Sequence, residues 1–117
     1  MDNKEEYSET KGRTTIDPGV LIKITKLTTL GVPGVSSMAS GPHKVDSIFR
    51  KNYSEGIQVD VENNTVYADI YLVLDHDVDL YATSQDIQNK VSRAITEMVG
   101  MNVGKINIHI EDINYAN

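Results

Sequence analysis

IQVDVENNTVYADIYLVLD, residues 57–75, decides the fold class. Ile57, Val59 and Val61 alternate with Gln58, Asp60 and Glu62, which puts apolar side chains on one face of a strand and polar ones on the other. Asn63-Asn64 supplies a hairpin turn, because asparagine tolerates the positive φ that a tight reversal demands. Val66, Ala68, Ile70, Leu72 and Leu74 resume the alternation on the return strand. The side chains between them, Tyr67, Asp69, Tyr71 and Val73, fall on the other face. Tyr67 and Tyr71 stand about 13 Å apart there, at ~3.3 Å per residue.

Working outward from the hairpin, Asp75 to Asp79 is a polar connection, and the period then changes. From Leu80 to Val99 the apolar residues Leu80, Ile87, Val91, Ala94, Ile95 and Met98 share one side of a helix. Gln85, Asp86, Gln88, Asn89, Lys90 and Arg93 line the other side, and Gly100 caps the end. A last strand sets Ile106, Ile108 and Ile110 against Lys105, Asn107, His109 and Glu111. Upstream, Asp17-Pro18 is a helix start, with Asp as N-cap and Pro at the first helical position. Val20, Ile24, Leu27 and Leu30 recur at helical spacing and form the expected core face of a helix over 18–30, broadened by Leu21 and Ile22. Gly31 is expected to end it as a left-handed cap, with Pro33 beyond. Short strands are expected over Gly12–Ile16 and Val35–Ser40. Residues 41–55 read as a loop or short helical turn, pinned to the core by Ile48, Phe49 and Tyr53. The fold class that follows is α+β and two-layered. A mostly antiparallel sheet carries two helices on one face, in the order strand, helix, strand, hairpin, helix, strand. Residues 1–11, MDNKEEYSETK, hold almost no apolar content and are expected to be a disordered tail, leaving 12–117 as a single domain.

Composition narrows the function classes. The chain has 117 residues, no cysteine, and a net charge of −6 from 17 acidic against 11 basic residues. The missing cysteine removes disulfides, thiolate nucleophiles and thiolate metal sites together. The acidic balance argues against nucleic acid and against direct attachment to anionic lipid, both of which reward clustered Lys and Arg. The amino-terminal stretch lacks the basic start and apolar core of a signal peptide. No apolar run approaches the ~20 residues of a spanning helix, so direct membrane insertion is not expected.

A search for chemistry finds little. His43, His76 and His109 are spread over a loop, a connection and a strand, without HxH or HExxH spacing, so no metal or other cofactor is expected. Gly31-Val32-Pro33-Gly34 matches the GxxG pattern that clamps a nucleic-acid backbone, but proline stands inside it and no basic residues support it. Ser36, Ser37 and Ser40 near His43 lack a nucleophile elbow. No catalytic residue is assigned, and the chain is not expected to be an enzyme. The feature that asks for a partner is the face of Tyr67, Tyr71 and Val73. Helices on one side of the sheet leave it open, and tyrosine combines apolar area with a polar tip. These three residues are the candidate interface, the other reading of the tyrosines being ordinary cross-strand pairs beneath a loop such as 41–55. The alternative is a small-molecule or nucleic-acid binding domain using the 31–34 turn and the 41–55 loop.

Three stretches resemble the alkaline shock protein family of Gram-positive bacteria: GRTTIDPGVLIKITKLTTLGVPGV from Gly12, the hairpin, and DIQNKVSRAITEMVGMNVGKINIHI from Asp86. The closing pattern is the most recognisable, with Gln88-Asn89-Lys90-Val91 on the helix, then Met98, Gly100, Val103, and Ile106 through Ile110. Asp75 to Leu80 departs from the Tyr-Gly turn and Ile-Pro helix start common in the family. The resemblance implies a cytoplasmic protein of the alkaline or envelope stress response. It implies a place at the inner face of the membrane through a small integral membrane anchor protein, and self-association as a homo-oligomer. It implies no catalytic or cofactor residues.

Overall fold

In the computed structural model, which describes residues 15–41 and 52–116, the hairpin forms, but its first strand departs from the expected alternation: Gln58 is buried and Val61 is exposed. Strand β3 (Ile57–Glu62) pairs antiparallel with β4 (Thr65–Asp75), from Glu62↔Thr65 to Ile57↔Ile70. Asn63 and Asn64 hold φ of 53° and 59° between them, and two left-handed residues in succession match the twist of the flanking strands. Val66, Ala68, Ile70, Leu72 and Leu74 are all buried, whereas Tyr67, Asp69, Tyr71 and Val73 stay partly open.

β4 outruns β3, and a second neighbour takes up the rest of that edge. Strand β1 (Val35–Met38) pairs antiparallel with Leu72–Leu74. The handover falls at Tyr71, whose N–H donates to the Gly56 carbonyl at 2.8 Å and whose carbonyl accepts from the Ala39 N–H at 2.8 Å. Gly56 has φ +86°, and a Cβ there would lie 2.4 Å from the Ala39 carbonyl oxygen and 2.8 Å from that of Tyr71. Only glycine fits where the two strands meet. Strand β2 (Tyr53–Ser54) extends the sheet beyond β3. The other edge of β4 is covered along its length by β5 (Asn102–Asn114), in parallel, with Ile70↔Ile108 and Tyr71↔His109. Among the described residues three of the four pairings are therefore antiparallel, and the parallel one takes the long helical crossover that such a pair needs.

Helix α1 (Pro18–Leu30) begins at Asp17, whose Oδ1 accepts from the Gly19 N–H at 2.8 Å. Helix α2 (Leu80–Val99) begins at Asp79, which caps the Ala82 N–H, and ends at Gly100 in the left-handed region. Ile87, Val91 and Ile95 are fully buried against the sheet, as their spacing requires, with Ile106 beside them. Both helices lie on the face of Ile70 and Leu72, so the α+β two-layer architecture stands.

Four expectations are corrected. Gly31 is right-handed (φ −83°), with its N–H turned back to the Leu27 and Thr28 carbonyls, and the positive φ falls at Gly34 instead. The buried face of α1 is Leu21, Thr25 and Thr29, while Val20 and Leu27 are 47% and 61% exposed, Leu30 is exposed, and Ile24 is only half-buried. Periodicity weighs hydrophobicity alone. Packing also weighs bulk, and the short threonines let α1 sit close to β1, β3 and α2. Tyr53 and Ser54 form β2 rather than a loop, joined to β3 through Glu55 and Gly56, both at positive φ. Thr15 and Ile16 belong to no strand. The tail 1–11, residues 12–14, and the stretch with His43, Ile48 and Phe49 lie outside the described residues.

Candidate functional site

The face of the sheet opposite the helices is built from three neighbouring strands. Tyr67, Asp69, Tyr71 and Val73 project from β4. Register sets Asp60 and Gln58 of β3 beside Tyr67 and Asp69, and Lys105, Asn107 and His109 of β5 beside Tyr67, Asp69 and Tyr71. The candidate residues thus share one face, as the alternation requires, but they do not form a uniform apolar patch.

Asp69 organises the centre. Its Oδ1 accepts from the Asn107 amide at 3.0 Å and meets His109 Nε2 at 2.9 Å. A carboxylate oxygen only accepts, so that bond calls for the imidazole proton on Nε2. The flat of the same imidazole lies against the Tyr71 ring. Tyr71 is consequently half-buried, and its ring is held in place by the Asp69–His109 pair.

Tyr67 is held differently. Its ring lies over Gly104, where a Cβ would come within 2.3 Å of Cε1, so the missing side chain makes room for the tyrosine to lie flat on β5. Tyr67 remains 39% exposed. Val73, opposite Ser37 of β1, is half-buried. The result is a shallow surface with two ordered aromatic rings and an acid–imidazole pair between β4 and β5. It combines apolar contact area with hydrogen-bonding tips.

Patterning along the chain places Tyr67, Asp69, Tyr71 and Val73 on one face but does not point to Asn107, His109 and Gly104 as their neighbours. Asn107 and His109 are legible as the polar side of the last strand. That they sit beside Asp69 and Tyr71 depends on the parallel pairing of β5 with β4, which no local pattern announces. His76 is elsewhere, 3.2 Å from Asp77 and stacked on Tyr115. Among the described residues no three His, Asp or Glu side chains converge as metal ligands. The 31–34 turn is used for packing: Val32 is buried, and a Cβ at Gly34 would meet the Val78 side chain at 2.9 Å. Among the described residues no helix is long and apolar enough to cross a membrane.

Comparison with known proteins agrees with this fold. Residues 6–115 match the model of the alkaline shock protein 23 family, described as having a cell envelope-related function. The uncharacterized protein Spy1535 of Streptococcus pyogenes is 33% identical over 103 residues, spanning 87% of this chain and 79% of that one. The uncharacterized protein YqhY of Bacillus subtilis is 26% identical over 119 residues, spanning 98% of this chain and 84% of its own. Among solved structures, the copper form of the MamM CTD superposes with a TM-score of 0.52 at 11% identity, covering 85% of this chain and 89% of that one. At that identity the likeness speaks for the fold alone.

Proposed function

This chain belongs to the alkaline shock protein 23 family, and from that premise we propose that it is a non-catalytic association module of the cell-envelope stress response, docking a partner on the sheet face opposite its helices. The observation that carries the reading is Tyr67, exposed on a flat face and seated over Gly104, beside a Tyr71 ring clamped by His109. Pre-ordered aromatic residues are what association rewards, because they bring contact area at low entropic cost.

The partner class is a small integral membrane protein, which would hold this acidic chain at the inner face of the membrane without contact between the chain and lipid. Self-association through the same face is compatible with it. Affinity capture from detergent-solubilised membrane fractions tests the proposal. It requires recovery of an integral membrane protein by the wild type and its loss with Tyr67→Ser plus Tyr71→Ser. Recovery of soluble metabolic proteins alone would overturn it.

A further inference from the structure

β5 is an outermost strand of the sheet, and among the described residues its thirteen residues pair with β4 alone. Alternate backbone N–H and C=O groups of β5 therefore point away from β4, along an edge that another strand can join. Relative to β4 it carries an extra residue at Gly104 and another at Glu111, and between them it runs regularly from Lys105 to Ile110. Ile106 is buried, but Ile108, Ile110 and Ile113, on the same side, are only half-buried. The helical layer thus leaves this rim of the sheet partly open.

The sequence of β5 says what fits this edge. Outward from Ile108 in both directions it is its own complement: Asn107 mirrors His109, Ile106 mirrors Ile110, Lys105 mirrors Glu111 and Val103 mirrors Ile113. In an antiparallel pair, directly opposed residues lie on the same face. A second β5 centred on Ile108 therefore sets isoleucine against isoleucine on the helical side. On the open side it sets Lys105 against Glu111 and Asn107 against His109. A two-fold axis makes each of these contacts twice. Neighbouring centres lose the match: one at Asn107 sets Val103 against Glu111, and one at His109 sets Ile106 against Asp112. Lys105 and Glu111 are exposed, and neither forms an ion pair among the described residues. Edges guarded against self-pairing carry charges that oppose it, whereas these attract. Gln88 of α2 donates to the Ile106 carbonyl at 2.9 Å. A carbonyl oxygen has two lone pairs, so that bond and one from an incoming N–H can coexist. Any extended segment can use the backbone of this edge, but a second copy also brings the matched side chains.

We propose that two copies of this chain join edge to edge, β5 antiparallel to β5 about a two-fold axis at Ile108, so that their sheets become one and all the helices lie on the same side. The mode is strand addition, with the added strand supplied by the chain itself. It leaves the face of Tyr67 and Tyr71 uncovered, so it stands independently of docking there.

The test uses the full chain in sedimentation equilibrium over a range of concentrations, and the wild type should dimerise. Lys105→Glu and Glu111→Lys each set like charges face to face twice, and each should raise the dimer dissociation constant at least about tenfold. Both side chains are exposed, so unchanged circular dichroism will show that the variants are folded. An equimolar mixture of the two variants should dimerise again, because each supplies the charge that the other needs. Ile108→Cys, in a chain with no cysteine of its own, should form an intermolecular disulfide on mild oxidation. The residue at the centre of the pair faces its own copy within disulfide reach. Val103→Cys, which faces Ile113, should not cross-link. A wild type that stays monomeric at millimolar concentration would overturn the proposal. So would a dimer indifferent to either charge reversal, reversals that the mixture does not rescue, or equal cross-linking at the two cysteine positions. A dimer lost with Tyr67→Ser plus Tyr71→Ser but kept with Lys105→Glu would overturn it by moving self-association to the sheet face. Dimerisation only after removal of residues 1–14 would also overturn it, since that names the chain's own tail as the occupant of the edge.

Discussion

The imidazole of His109 lies flat against the ring of Tyr71, their centroids 4.3 Å apart and their planes 10° from parallel. The contact ties the parallel pair of strands together through side chains, and Asp69 fixes the imidazole at its edge. His109→Ala should therefore cost about 0.5–1.5 kcal/mol in chemical denaturation, the range of an aromatic pair beyond its area. The hydrogen bond to Asp69 adds little, since both side chains are partly exposed to solvent. An unchanged midpoint would mean that the stack is not populated in solution.

Tyr67 and Tyr71 should matter more for association than for folding. The double change Tyr67→Ser with Tyr71→Ser should weaken partner capture or self-association about tenfold, as removal of an interface anchor does. Tyr71 is the more buried of the two, so most of the accompanying loss of stability should come from it. Sedimentation and pull-down beside a denaturation curve check this. A double mutant that unfolds, beside a wild type that is monomeric and captures nothing, would make both tyrosines structural.

Thr25 and Thr29 invite the opposite kind of change. Each is fully buried with a hydroxyl unpartnered among the described residues, and valine has nearly the same shape. Thr25→Val and Thr29→Val should each stabilise the domain by about 1 kcal/mol, by removing a buried group that has lost its water. Thermal melts should rise by a few degrees for each. A fall would show that the hydroxyls have partners after all.

Gly56→Ala should be among the most damaging single changes. The position combines a positive φ with two backbone oxygens inside contact distance of any Cβ, and neither can move without unpairing β4. Strain of about 1–3 kcal/mol is expected from the backbone alone. Gly100→Ala shares the positive φ, but a Cβ there meets nothing within 4 Å among the described residues, so it should cost visibly less. Equal losses in the two variants would mean that the close approach at Gly56 is unimportant.

These contrasts show which parts of the molecule are legible in the sequence. The start of the first helix, the end of the second and the hairpin turn follow from local chemistry at Asp17, Pro18, Gly100, Asn63 and Asn64, and local chemistry needs no knowledge of the fold. The buried side of α1 is not legible in this way, because ranking Leu27 above Thr25 is sound for hydrophobicity and silent about how closely a helix approaches its sheet. β2 escapes because two residues cannot show an alternation. In the candidate site, Tyr67, Tyr71 and Val73 come from period-two patterning on one strand. Asp69 is on the same strand, but its pairing with Asn107 and His109 needs the register between β4 and β5, which is set by tertiary packing across a twenty-residue helix.

The central position of β4 has a kinetic consequence. Its pairing with β3 needs only the closure at Asn63-Asn64, whereas Val35↔Leu74 and Ile70↔Ile108 join distant parts of the chain. Local contacts are reached early and long loops close late, so the hairpin is the expected nucleus, onto which β1 docks from one direction and β5 from the other. Substituting Asn64 by a residue that resists positive φ should then slow refolding in a chevron experiment. Truncating Ile108 should mainly hasten unfolding. The strand that carries the candidate interface would be the first to take shape, and its tyrosines would wait in the open until β5 arrives with His109 and Gly104 to order them.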